Sequence, residues 1–88
     1  MSVFVGGSAY NMARDIADGY IIATELTFRQ YKPPDFQTFL LETEKLLREV
    51  RGTQPATNDT EALQKRQRRM QRLQQALTIA NSVRLRRS

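Results

Sequence analysis

Two adjacent prolines, Pro33 and Pro34, constrain this 88-residue chain more than any other feature. Neither carries an N–H for a helix ladder, and each ring clashes with the preceding turn, so no helix runs through the pair. Lys32 is pushed toward extended backbone by the proline that follows it. A helix is therefore expected to start near Pro34 or Asp35, where proline suits the first turn and an acidic side chain complements the helix dipole. Phe36, Phe39, Leu40, Thr43, Leu46, Leu47 and Val50 then fall within about a third of a helical wheel, the pattern of a helix with one buried face. Gly52 is the expected C-terminal cap.

Before the prolines, a helix is expected from about Ser8 to Gln30, with Ser8 as N-cap after a Gly6-Gly7 turn. Ala9, Met12, Ala13, Ile16, Tyr20, Ala23 and Thr27 share one face of it. Asn11, Arg14, Asp15, Asp18, Glu25 and Arg29 form a narrow polar strip that Ile22 interrupts. A competing reading makes residues 20–28 a strand, because they alternate and are rich in β-branched and aromatic residues, with Asp18-Gly19 as the turn before them. Residues 2–5 would be the pairing strand. Two strands alone are marginal, so that α+β alternative needs a partner sheet.

Residues 53–59 read as a polar linker, with Asp59 or Thr60 capping a third helix and Glu61 in its first turn. That helix runs from about Thr60 to Ser82 or beyond. Leu63, Met70 and Leu77 are seven apart, and Leu73 and Ala80 fill the second position of a short heptad seam. Arg66 interrupts the seam. These five apolar residues are the expected oligomer interface, and a homodimer the expected assembly. The whole reads as one small all-α domain of three helices. Its parts are an acidic two-helix segment (1–52), a linker (53–59) and a long basic C-terminal helix and tail (60–88), protruding or loosely docked.

The function classes are narrowed mainly by exclusion. The chain has no Cys and no His. Disulfides and thiolates are ruled out, and so are the commonest metal ligand and the commonest general base. Ser8 has no His to activate it. Asn11, Asp15 and Asp18 are better read as a solvated polar strip than as a magnesium site. Gly6-Gly7 matches no phosphate-binding glycine motif. Tyr31, Phe36 and Phe39 are aromatic residues that can stack on bases, but their helical spacing favours a core role. The expectation is no enzyme, no cofactor and no metal. No apolar run nears the ~20 residues of a membrane span, and the basic helix lacks the Trp or Phe anchors of an interfacial one. A cytoplasmic protein is expected.

Charge is the remaining signal. Residues 1–61 hold six basic and nine acidic side chains, whereas residues 62–88 hold eight basic and none acidic. Such asymmetry bears on partners rather than fold. Lys65, Arg66, Arg68, Arg69 and Arg72 sit within eight positions, and Arg84, Arg86 and Arg87 close the chain. If the helices dock, Arg66 is expected to reach Glu42, Glu49 or another carboxylate of the acidic part. The expected function is a small regulatory protein contacting DNA or RNA phosphates through these eight side chains, without base readout. The alternative is a helical adaptor or assembly subunit whose basic helix binds an acidic protein.

Overall fold

The computed structural model describes residues 3–53 and 58–87, the side chain of Arg87 excepted. Three α-helices follow one another: α1 (Ala9–Ala17), α2 (Pro33–Gly52) and α3 (Thr60–Arg87), with one short 3-10 turn (Glu25–Phe28) between α1 and α2. No strand occurs among the described residues, so the domain is all-α and the strand pair at 2–5 and 20–28 is not formed; residue 2 itself lies outside them. The long axis of the molecule, 46 Å, is close to the ~42 Å that a helix of α3's length spans.

The first helix is shorter than its apolar pattern suggests. Ser8 caps it, its Oγ accepting from Asn11 N–H at 3.1 Å. It ends at Ala17, half-way through the expected span. Gly19 takes a φ of +86°. Gly19 N–H then bonds Ile16 C=O at 3.1 Å, and Tyr20 N–H bonds Asp15 C=O at 2.9 Å. This is the double hydrogen bond of a Schellman stop, for which a glycine just past the helix is the usual residue. Asp18-Gly19 is thus a helix terminator, and the β-branched residues after it disfavour renewed helix. Residues 20–24 are irregular, and Phe28 carries the segment back into the core.

α2 follows its sequence pattern. Lys32 N–H donates to Asp35 Oδ2 at 2.8 Å, which satisfies the donor ahead of the prolines. Phe36, Phe39, Thr43, Leu46, Leu47 and Val50 are buried. Gly52 does not turn the chain left-handed; it is the last residue of α2, and Thr53 is the cap. Asp59 opens α3, its Oδ1 accepting from Ala62 N–H at 3.0 Å.

Two apolar clusters hold the helices together. In the first, Tyr31 lies among Phe4, Phe28, Phe36 and Phe39, with ring centroids 5.2–6.1 Å away. Met12, Ile16, Ala76, Ala80 and Val83 pack around them. The second comprises Ala13, Ala17, Leu46, Leu47, Val50 and Leu73. α3 therefore neither protrudes nor docks loosely. Leu73, Ala76, Ala80 and Val83 form its inward stripe, and the two alanines let the helix lie close to the aromatic side chains.

Two outcomes follow from this packing. Gly19→Ala forces a β-carbon into left-handed backbone and places it 3.2 Å from the Arg72 guanidinium; it should lower unfolding stability by about 1–2 kcal/mol, read from the urea midpoint. Burial first, and then the Asp35 carboxylate, push the Tyr31 phenol well above the ordinary tyrosine range. The native state therefore keeps the proton that the unfolded chain releases near pH ~10. The contribution of Tyr31 is fully present below that pH and is lost as pH rises above it. Tyr31→Phe should shift alkaline unfolding, followed by circular dichroism, to higher pH. At neutral pH it gives up the weak bond from Tyr31 Oη to Met12 Sδ at 3.1 Å.

Candidate nucleic-acid interface

The basic run of α3 divides into side chains that hold the fold together and side chains that face outward. Helix C-termini leave up to four carbonyls without intrahelical donors and carry the negative end of the helix dipole. Both α1 and α2 end against the N-terminal half of α3. Arg72 Nη1 donates to Ala17 C=O at 3.1 Å, at the end of α1. Arg69 pairs with Asp18 one residue further on, Nε to Oδ1 at 3.3 Å. The Nε is buried and not aligned for a hydrogen bond, so this contact is an ion pair only. Arg66 crosses the end of α2: Nε donates to Val50 C=O at 3.1 Å and Nη2 to Arg51 C=O at 2.8 Å. Thr53 completes that cap, its Oγ1 donating to Glu49 C=O at 3.0 Å.

The expected carboxylate partners of Arg66, Glu42 and Glu49, are not used. A guanidinium fork satisfies two carbonyls at once, which a single carboxylate pairing would leave open. Glu49 instead accepts from Tyr10 Oη at 3.3 Å. The interruption that Arg66 makes in the apolar seam thus has a structural cause. At that level the inward face of α3 meets a helix end rather than a core.

The other basic residues differ. Lys65 and Arg68 are exposed and have no ion pair or hydrogen bond among the described residues. Arg84 bonds Asn81 Oδ1 at 3.2 Å. Arg86 pairs with Glu25 at 2.8 Å across an exposed surface, a kind of contact that contributes little to stability. The side chain of Arg87 lies outside the described residues. Arg84 and Arg86 are also more than two helical turns from Arg72, so the eight basic residues do not form one patch.

The homodimer seam is used by the protein itself. Leu73 and Ala80 are fully buried in the two core clusters. Met70 and Leu77 are half-buried against the second of them. Leu63, 38% exposed, is the most open of the five. A second chain built onto Leu73 and Ala80 would have to open the core, so those two residues are not an oligomer interface in this fold.

Two clefts flank the ridge made by Lys65 and Arg69. One, of about 500 Å³, is polar and is lined by Ala17, Asp18, Tyr20, Glu61, Gln64, Lys65, Arg68, Arg69 and Arg72. The other, of about 410 Å³, has Leu46, Val50 and Ala62 among its walls, with Arg14, Lys65, Arg66 and Arg69 as cations and Glu49 as its carboxylate. Among the described residues there is no cluster of metal-ligating side chains; Asp18 of the α1 polar strip is engaged with Arg69. No described helix is long and apolar enough to cross a membrane. Tyr31, Phe36 and Phe39 are buried and are closed to any ligand.

Sequence reasoning missed Tyr20. It was placed on the apolar face of a long helix, but it is 81% exposed at the rim of the polar cleft. The signal for it is Gly19, whose left-handed backbone follows the end of α1 at Ala17. Comparison with protein-family models, with curated proteins and with solved structures finds no significant match to this chain.

The division of labour sets a direct expectation. Arg66→Ala strips two carbonyls of a charged donor at a partly buried site and should cost about 1–3 kcal/mol. Lys65→Ala and Arg68→Ala should each stay within about 0.5 kcal/mol of the parent. Parallel urea titrations of the three variants check this.

Proposed function

We propose that the protein is a small, non-enzymatic regulatory protein of the cytoplasm that contacts nucleic-acid phosphates through the N-terminal half of α3. The observation that carries this reading is the pair Lys65 and Arg68, exposed and without a carboxylate partner among the described residues, on a polar cleft that also holds Arg69 and Arg72. Cations that have no use within a fold attract polyanions, and releasing condensed counterions from phosphates drives such binding. Arg72 spends one N–H on Ala17 and keeps its charge, so it adds to the field over the cleft. Arg66 and Arg69 hold the helices in place and position the exposed pair. Glu61, in the first turn of α3, sets an acidic limit at one edge. Contacts of this kind fix register on the backbone and carry no base information.

A second reading rests on the neighbouring cleft, where apolar Leu46, Val50 and Ala62 lie under Arg14, Lys65, Arg66 and Arg69. That combination fits an acidic segment of a protein partner that inserts one bulky apolar side chain. The two readings separate at Arg14, which lines only this second cleft. Arg14→Ala weakens a protein partner there and leaves nucleic-acid affinity unchanged.

Removing residues 60–88 is not a usable control, because Leu73, Ala76, Ala80 and Val83 are core. The test is a fluorescence-anisotropy titration of labelled duplex DNA with the full chain and with the Lys65→Ala/Arg68→Ala double variant, at several salt concentrations. With Lys65, Arg68 and Arg72 on phosphates, the log–log slope of affinity against salt should be about −3, and the double variant should flatten it by about 2. Absence of binding at low salt, or binding indifferent to the double variant, would overturn the proposal.

A further inference from the structure

Tyr20 stands apart from the other aromatic side chains near the core. Phe28, Tyr31, Phe36 and Phe39 are closed inside the first apolar cluster, whereas Tyr20 is 81% exposed and lines the basic cleft beside Lys65 and Arg68. Its main chain is not loose. Tyr20 N–H is held by Asp15 C=O at 2.9 Å, and Gly19 before it rests against the Arg72 guanidinium. The ring is therefore carried by backbone that is fixed before any ligand arrives, so little backbone order remains to be lost on binding.

A pinned, exposed ring at the edge of a cationic cleft is the pairing that single-stranded nucleic acid needs. Cations track its phosphates, while an unpaired base lays its face on the aromatic ring. A duplex cannot use such a ring in this way, because its bases are stacked on one another. Gln64, on the same cleft, offers an amide donor and acceptor within the same space.

Building on the phosphate-contact reading above, we infer that Tyr20 is a stacking platform for an unpaired base and that the ligand class is single-stranded RNA or DNA. Lys65 and Arg68 hold the phosphates next to the stacked nucleotide. The contribution of Tyr20 is non-ionic and that of the two cations is ionic, so salt dependence tells them apart.

The experiment is an anisotropy titration of the full chain with labelled oligouridine, oligothymidine and a duplex of matched length, over a range of salt. Tyr20→Ala, Tyr20→Phe and Lys65→Ala/Arg68→Ala are measured alongside. The parent should bind the single strands more tightly than the duplex. Tyr20→Ala should weaken single-strand binding at least about fivefold, as loss of one stacked base does, with the salt slope unchanged and duplex binding unaltered. Tyr20→Phe should bind like the parent, since the stack needs the ring and not the hydroxyl. The double variant should flatten the single-strand slope by about 1.4, at ~0.7 per phosphate contact. Equal single-strand affinity of Tyr20→Ala and parent, with the double variant still impaired, would overturn the stacking platform and leave the phosphate-contact reading standing. Failure of the parent to bind any of the three at low salt would overturn both.

Discussion

The structure depends on how two helix ends are satisfied. α1 and α2 both stop against α3, and both stops leave carbonyls facing a neighbouring helix rather than open water. An unpaired carbonyl in such a place costs about as much as a lost hydrogen bond. Arg66 and Arg72 supply donors to Arg51 and Ala17 C=O, and Arg66 a second donor to Val50 C=O beside Thr53 N–H, at 2.8–3.1 Å; Arg69 adds an opposite charge at Asp18. These contacts lock the N-terminal half of α3 in register with the other two helices. Leu73 then falls into the second apolar cluster, and Ala76, Ala80 and Val83 fall against the aromatic one. From its C-terminal to its N-terminal end, the inward face of α3 changes from small apolar residues to leucine to arginine. The surface it meets changes in the same order, from aromatic core to helix ends.

That gradient explains what was legible in the sequence and what was not. α2 could be read almost whole, because its stripe from Phe36 to Val50 has one partner type along its length and its start is fixed by Pro33 and Pro34. The N-caps Ser8 and Asp59 were legible because an N-cap is local: the side chain satisfies an N–H three residues on. The C-terminal ends were only partly so: beside the local donors of Gly19, Tyr20 and Thr53, they take side-chain donors from far away in the chain, 55 residues for Arg72 and 15–16 for Arg66. Gly52, the local candidate, was displaced by Arg66 and Thr53. The length of α1 was misread because apolar periodicity continues through Tyr20, Ala23 and Thr27, although Gly19 had already ended the helix. At that point a single backbone conformation outweighs the pattern.

The seam of α3 shows the same competition from another side. Leu63, Met70 and Leu77 keep a seven-residue spacing that suits a partner helix, yet the buried stripe is Leu73, Ala76, Ala80 and Val83. Alanine weighs little in a hydrophobicity pattern and much in packing. Small side chains let α3 approach the cluster around Tyr31 closely enough to bury it. An apolar pattern counts methyl groups, whereas a core of large aromatic side chains selects for the room to hold them.

The same division bears on why the positive charge of α3 exceeds what its fold uses. Arg66 and Arg72 suffice to cap the helix ends, with Arg69 paired to Asp18, and apolar or glutamine side chains at 65 and 68 would complete the helix with its propensity almost unchanged. Lys65 and Arg68 instead place charge beside charge, Lys65 within four positions of Arg66 and Arg69, and Arg68 within four of Arg66, Arg69 and Arg72. Like charges this close repel one another and raise the free energy of the folded state, modestly in water and more where the surface is partly dry. Asp18 and Glu61 offset only part of that repulsion along the polar cleft. Under the proposed function, an anionic ligand removes it, and the cost carried by the free protein would become binding free energy. Tyr20 then has a place in the same argument. A cationic cleft alone attracts every polyanion; under the stacking proposal, the exposed ring at its rim adds a contact that an unpaired base completes and a stacked duplex does not.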